Sequence, residues 1–153
     1  MTEGGGDLAA FFDLIDYAYF VVTVRSPEGE MSGCLAGFVT QCSIDPPNFL
    51  VCISKVNHTF GVAAGAPGMG LHLLGRDQVD LARLFGEESG DVVDKFASVD
   101  WRLGSTGAPL FSAVSALPFS ANLDTAAIAP SLINSLRSNI PPYRYTCGMK
   151  FCS

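Results

Sequence analysis

Positive charge is scarce in this sequence: nine Lys and Arg stand against fifteen Asp and Glu in 153 residues, for a net charge of -6 and a pI near 4.6. Phosphodiester backbones and anionic lipid heads are recognised through clustered Lys and Arg, so nucleic-acid polymers and membrane surfaces are poor partners. The apolar run from Tyr17 to Val24 is far shorter than the roughly 20 residues a bilayer requires. The N-terminal segment carries acids and a glycine run where a secretory signal needs a basic start and then an apolar stretch, which points to the cytoplasm.

Several chemistries lack their residues. There are only two histidines, His58 and His72, and neither has a second ligand at metal-site spacing, so no metal is expected. Gly61, Gly65, Gly68 and Gly70 do not form Gly-x-Gly-x-x-Gly, and no Gly-x-x-x-x-Gly-Lys-Ser/Thr occurs, which removes the two common phosphate loops. No Gly-x-Ser-x-Gly elbow supports a hydrolase. Five cysteines form neither an even disulfide framework nor a Cys-x-x-Cys pair; reduced thiols fit best, with Cys34, Cys42 and Cys52 read as small buried hydrophobes.

What is present is apolar: 48% of residues are hydrophobic, enough for one core and, at this length, for one domain over residues 1–153. Leu8 to Ile15 has the spacing of a short amphipathic helix. Tyr17 to Arg25 and Glu30 to Gln41 are rich in Val, Thr and aromatics and flank Ser26-Pro27-Glu28-Gly29, so they predict a hairpin. Pro46 and Pro47 stop the second strand, and Asn48 to Lys55 restarts a buried one. A helix from Phe60 to Ala64 has polar caps in Asn57-His58-Thr59. Gly68 to Leu74 is a further strand, within which His72 reads as a structural hydrogen-bonding group. A helix is expected from Asp77, its cap, to Phe85, ended by Gly86, then a short helix over Asp91 to Phe96 and a strand over Pro109 to Ala116.

Antiparallel strands interrupted by short helices predict a mainly β fold, a closed barrel in preference to a doubly wound sheet. Past Leu117 the charge balance reverses, with Asp124 alone against Arg137, Arg144 and Lys150. Strand alternation is not evident there, and a short helix is expected over Ser131 to Arg137. Residues 117–153 therefore read as a divergent or altered tail, either natural or from a shifted reading frame.

The stretch Gly33 to Lys55, GCLAGFVTQCSIDPPNFLVCISK, resembles the signature of the flavin reductase-like family, and the resemblance runs on through Asn57-His58-Thr59, Gly70 to Leu74, Leu84-Phe85, Asp94-Lys95-Phe96 and Trp101 to Gly107-Ala108-Pro109-Leu110. It covers residues 17–116. It implies a Greek-key split barrel that pairs as a homodimer and holds FMN, with FAD as the alternative. NADH or NADPH is then the co-substrate, and a flavin-dependent monooxygenase the recipient of reduced flavin. Leu35, Ala36 and Gly37 match the segment that contacts the flavin ring, where backbone N–H groups and little side-chain bulk suit close approach. Gln41, Cys42 and Ser43 fall where the family contacts the ribityl chain and phosphate. Ser54, Lys55, Asn57 and Thr59 fall on the phosphate side, where a cation and amides suit a dianion, and Phe96 is counted with the cofactor-binding residues.

A Ser or Gln at a strand end is ordinarily a solvated or capping residue, and Lys55 alone an exposed charge; their joint position carries the reading. The family's frequent Thr and Asn are replaced by Leu35 and Gly37, which leaves backbone contacts only. Its Gly-Asp-His turn, with the histidine near the nicotinamide, is missing after Leu117. No catalytic acid or base is implied, because the flavin carries the chemistry. The competing readings are a non-enzymatic FMN-binding flavoprotein or electron carrier, and a chain that folds around no cofactor.

Overall fold

The computed structural model describes residues 8–45, 47–90, 92–122 and 147–152. After a short helix α1 (Leu8–Asp13), the β-branched run folds as strand β1 (Phe20–Arg25), which turns through Ser26–Gly29 into β2 (Met31–Ala36). The Gly29 N–H closes that turn on the Ser26 carbonyl at 3.0 Å. The expected single strand from Glu30 to Gln41 is divided at Gly37-Phe38, beyond which β3 (Val39–Ile44) leaves in a new direction. β4 (Pro47–Ser54) returns along β3, with a bulge between Gln41 and Ser43. Pro47 opens β4, a position where a missing N–H is tolerated.

Helix α2 (His58–Ala63) begins where expected, with the Asn57 side chain accepting from the Thr59 N–H at 2.9 Å. β5 (Gly68–Leu73) and α3 (Val79–Glu87) follow. Asp77 does not cap α3. Gln78 occupies that position without a side-chain cap, because its amide is spent on the Gly75 N–H and the Ala113 carbonyl. Gly86 lies inside α3, against Leu35, and does not end it. In place of a helix over Asp91 to Phe96 there is a 3₁₀ turn, Lys95–Ser98, capped by the Asp94 carboxylate.

The expected strand from Pro109 is split. β6 (Trp101–Leu103) pairs with β7 (Pro109–Phe111), and β8 runs over Ser115–Asn122. The expectation of no strand beyond Leu117 is overturned, since β8 continues past it and β9 (Cys147–Cys152) pairs with both β8 and β4. Edge pairing with two strands distant in sequence supplies what local alternation does not signal. The helix expected over Ser131 to Arg137 lies outside the described residues.

One antiparallel sheet has the order β2-β1-β5-β8-β9-β4-β3. Its two end strands are consecutive in the chain and joined by Gly37-Phe38 alone. Laid flat, seven strands would hold those ends about 29 Å apart, whereas the link reaches about 11 Å at most, so the sheet must curl until its ends meet. The Phe38 carbonyl, accepting from the Cys52 N–H at 3.0 Å, carries the β3–β4 pairing back to that link.

Val22, Val24, Cys34, Ala36, Val51, Ile53, Met69, Leu71 and Phe119 fill one core with Val62 and Ala63 of α2. The opposite face of β1 and β2 packs Val21 with Phe85, Phe96 and Phe111, covered by Leu81 and Leu84 of α3. No helix among the described residues is long and apolar enough to cross a membrane.

Candidate functional site

The seam between β2 and β3 decides which of the candidate residues meet. Leu35 lies under α3, and Ala36, 5% exposed, enters the core. At Gly37, among the described residues and its chain neighbours aside, the atoms near the place a side chain would start belong to the Tyr19 ring, 3.5 Å away. Glycine thus leaves the half-buried backbone there with no side chain of its own. Since Phe38 is fastened to Cys52, this segment stands beside the last residues of β4, where the Ser54 carbonyl accepts from the Asn57 N–H at 3.0 Å and Lys55 is exposed. The structure thus brings Leu35–Gly37 and Ser54–Asn57 to one rim of the barrel.

Gln41, Cys42 and Ser43 sit at the other end of the hairpin. Gln41 is opposite Phe49 and Ser43 opposite Asn48, and from Asn48 to Ser54 is about 20 Å of strand. Gln41 is exposed and donates from Nε2 to the Ser43 carbonyl at 3.0 Å. Cys42 is exposed too, contrary to its reading as a buried hydrophobe, because β3 is an end strand whose outer face nothing covers among the described residues; Cys34 is buried and Cys52 half-buried.

Thr59 points inward. It is 1% exposed, and its hydroxyl meets the Ser32 hydroxyl at 2.9 Å. It also bonds Cys34, whose thiol burial pushes up from its ordinary value while Thr59 and Lys95 pull the other way. Phe96 is 7% exposed and packs edge-on to Phe85 at 5.7 Å and to Trp101 at 6.2 Å. It lines an open cleft of about 330 Å³ with Met31, Glu30 and His58, at the opposite end of β2 from Gly37. His58 holds Glu30 there at 3.0 Å.

Asn48 is a residue that pattern alone does not mark, standing as one polar side chain at the head of an apolar run. Its Oδ1 is buried and accepts no hydrogen bond among the described residues. An acceptor left in that state costs about 1–3 kcal/mol, which a donor brought by a ligand would recover. Asn48 lies at the far end of β4 from Ser54, whereas the glycine backbone at Gly37 and the exposed cation at Lys55 share one rim and fit a polar, planar-headed molecule such as a flavin nucleotide.

A family model, the flavin reductase like domain, matches residues 12–120. The chain belongs to the flavin reductase-like family. Among its relatives, a protein of Rhizobium meliloti (strain 1021) named "Probable flavin reductase" is 38% identical over 96 residues, 63% of this chain and 30% of that protein. The stachydrine N-demethylase reductase subunit of the same organism is 31% identical over 105 residues, 69% of this chain and 44% of that one. The chain thus spans less than half the length of these two curated relatives. Among solved structures, the Streptomyces globisporus NADH:FAD oxidoreductase in complex with NAD and FAD fragments is 31% identical. It superposes with a TM-score of 0.65 over 75% of this chain and 68% of its own. The mainly β, split-barrel architecture of the family is the one this chain adopts.

Proposed function

We propose that this chain is an NAD(P)H-dependent flavin reductase, a single domain over residues 1–153 that holds FMN, with FAD as the alternative, and supplies reduced flavin to a separate monooxygenase. The observation that carries it is the meeting, on one rim of a family barrel, of the Leu35–Gly37 backbone and the polar turn Ser54–Asn57. When bound, the flavin accepts hydride from the nicotinamide. The chain's part is to bind and orient: Lys55 and Ser54 toward the phosphate, and the Leu35–Gly37 backbone toward the ring edge. Gln41, Cys42 and Ser43 extend the polar lining along β3, while Thr59 and Phe96 support the site from within, through Ser32 and Phe85. The flavin and NAD fragments on the Streptomyces enzyme, and the relative that is the reductase subunit of an N-demethylase, support both cofactor and partner class.

Two copies complete the molecule in this reading. Phe96 is no reason for pairing, as it is buried within its own chain. The support lies instead in Tyr17, Tyr19 and Phe38, which are 40%, 54% and 66% exposed and adjoin the candidate ring segment. The unbridged thiols of Cys34 and Cys42 support a cytoplasmic setting. The second reading, a flavoprotein or electron carrier without reductase activity, is favoured by the missing Gly-Asp-His segment. Titrating FMN into the purified chain and then adding NADH separates the two. Flavin retained and bleached at many turnovers supports the reductase; flavin retained without bleaching supports the carrier, and no flavin uptake overturns both.

A further inference from the structure

We propose that Lys95 is a positioning residue for the ring-side wall of the flavin site, acting through α3 and β2; this rests on reading Leu35–Gly37 as that wall. Lysine is almost never fully buried unless its ammonium has partners, yet Lys95 is 4% exposed. Its Nζ donates to the Gly33 carbonyl at 3.3 Å and to the Phe85 carbonyl at 3.4 Å, and lies 5.4 Å from the Phe85 ring centroid. Phe85 is in the last turn of α3, where carbonyls lack helical partners and the helix dipole favours a cation. One ammonium therefore ties the end of α3 to the middle of β2.

The two elements meet without slack. A Cβ on Gly33 would lie 2.9 Å from the Phe85 ring, and one on Gly86 would lie 3.0 Å from Leu35 Cδ2. Gly33 and Leu35 share the β2 face beneath α3, because strand side chains alternate. Where α3 sits thus decides where Leu35 sits, and Gly37 is two residues on. Lys95 touches neither flavin nor nicotinamide in this account; it fixes the place of the backbone that does.

The test compares Lys95→Met, Lys95→Arg and Gly86→Ala with the wild type. It reads FMN and riboflavin affinity by fluorescence quenching, and the visible circular dichroism of the bound flavin. Lys95→Met is expected to weaken both ligands alike, by about tenfold, since site geometry tolerates little misplacement. It should also alter the dichroism, and Lys95→Arg should restore both. Gly86→Ala, which presses on Leu35 without burying or removing charge, should alter the dichroism in the same sense. Val24→Ala, a core truncation remote from α3, should lower stability and leave affinity unchanged.

Wild-type affinity and dichroism in Lys95→Met overturn the proposal. If Lys95→Met does not fold, the same result in Gly86→Ala overturns it. If the wild type takes up no flavin, the cofactor reading is what fails, and amide exchange then decides on Lys95. Faster exchange confined to α3 and Leu35–Gly37 in Lys95→Met supports the positioning role, and unchanged exchange there overturns it.

Discussion

His72 is held in a state that excludes a second proton. Its Nδ1–H donates to the Val21 carbonyl at 2.9 Å, its Nε2 accepts from the Phe111 N–H at 3.1 Å, and the ring stacks on Phe111 at 4.2 Å. Burial lowers its pKa to about 4 from 6.5, against the smaller opposing pull of the Val21 bond. Between those values the unfolded chain binds the proton and the folded chain does not, so stability is full above about pH 6.5 and falls as pH drops through the window. The whole step is worth about 3 kcal/mol. Urea midpoints at pH 7.5, 5.5 and 4.5 should decline accordingly, and His72→Gln should show a lower midpoint at pH 7.5 with a shallower decline. Lys55→Ala is a separate residue-scale prediction. It should weaken FMN more than riboflavin, because only FMN carries the phosphate an ammonium can pair with; equal loss in the two titrations returns Lys55 to an exposed surface charge. The structural role of His72 was legible, since a histidine inside Leu71–Leu74 needs hydrogen-bond partners. The inward turn of Thr59 was not, because a threonine at a helix start reads the same whether its hydroxyl faces solvent or Ser32.

At the scale of elements, the hairpin turn, the start of α2 and β5 were legible because each is announced by local chemistry: proline and glycine in a turn, asparagine at a cap, an unbroken apolar run. The division at Gly37-Phe38 was not. It comes from the barrel turning its corner there, and a strand on either side looks alike in sequence. β9 was illegible for a related reason. Its backbone pairs with Phe49–Ser54 and with Ala121 and Asn122, so its identity as a strand resides in the gap those edges leave. A chain cut after Asn122 should leave β4 and β8 unpaired along that gap. Open edges recruit other chains, so the truncated protein is expected to melt lower and to sediment as aggregates, where the full chain does not.

At the scale of the molecule, the barrel class could be read from antiparallel strands and short helices, and the family from Gly33 to Lys55. The homodimer was read only from the family resemblance, and Phe96, covered by its own chain, adds no argument for it. Light scattering at micromolar concentration should give twice the chain mass, and Phe38→Asp, in the exposed aromatic corner, should halve it. The two-residue link between β2 and β3 also bears on the order in which the protein comes into being. The sheet can curl closed only when every strand between β2 and β3 is in place, and these include β9, whose residues pair with Phe49 and its neighbours across about a hundred positions of chain. Closing loops of that length slows folding, and strands await their partners meanwhile. On the ribosome, β4 can pair with β3 at once, but its other edge must wait until β9 has been synthesised.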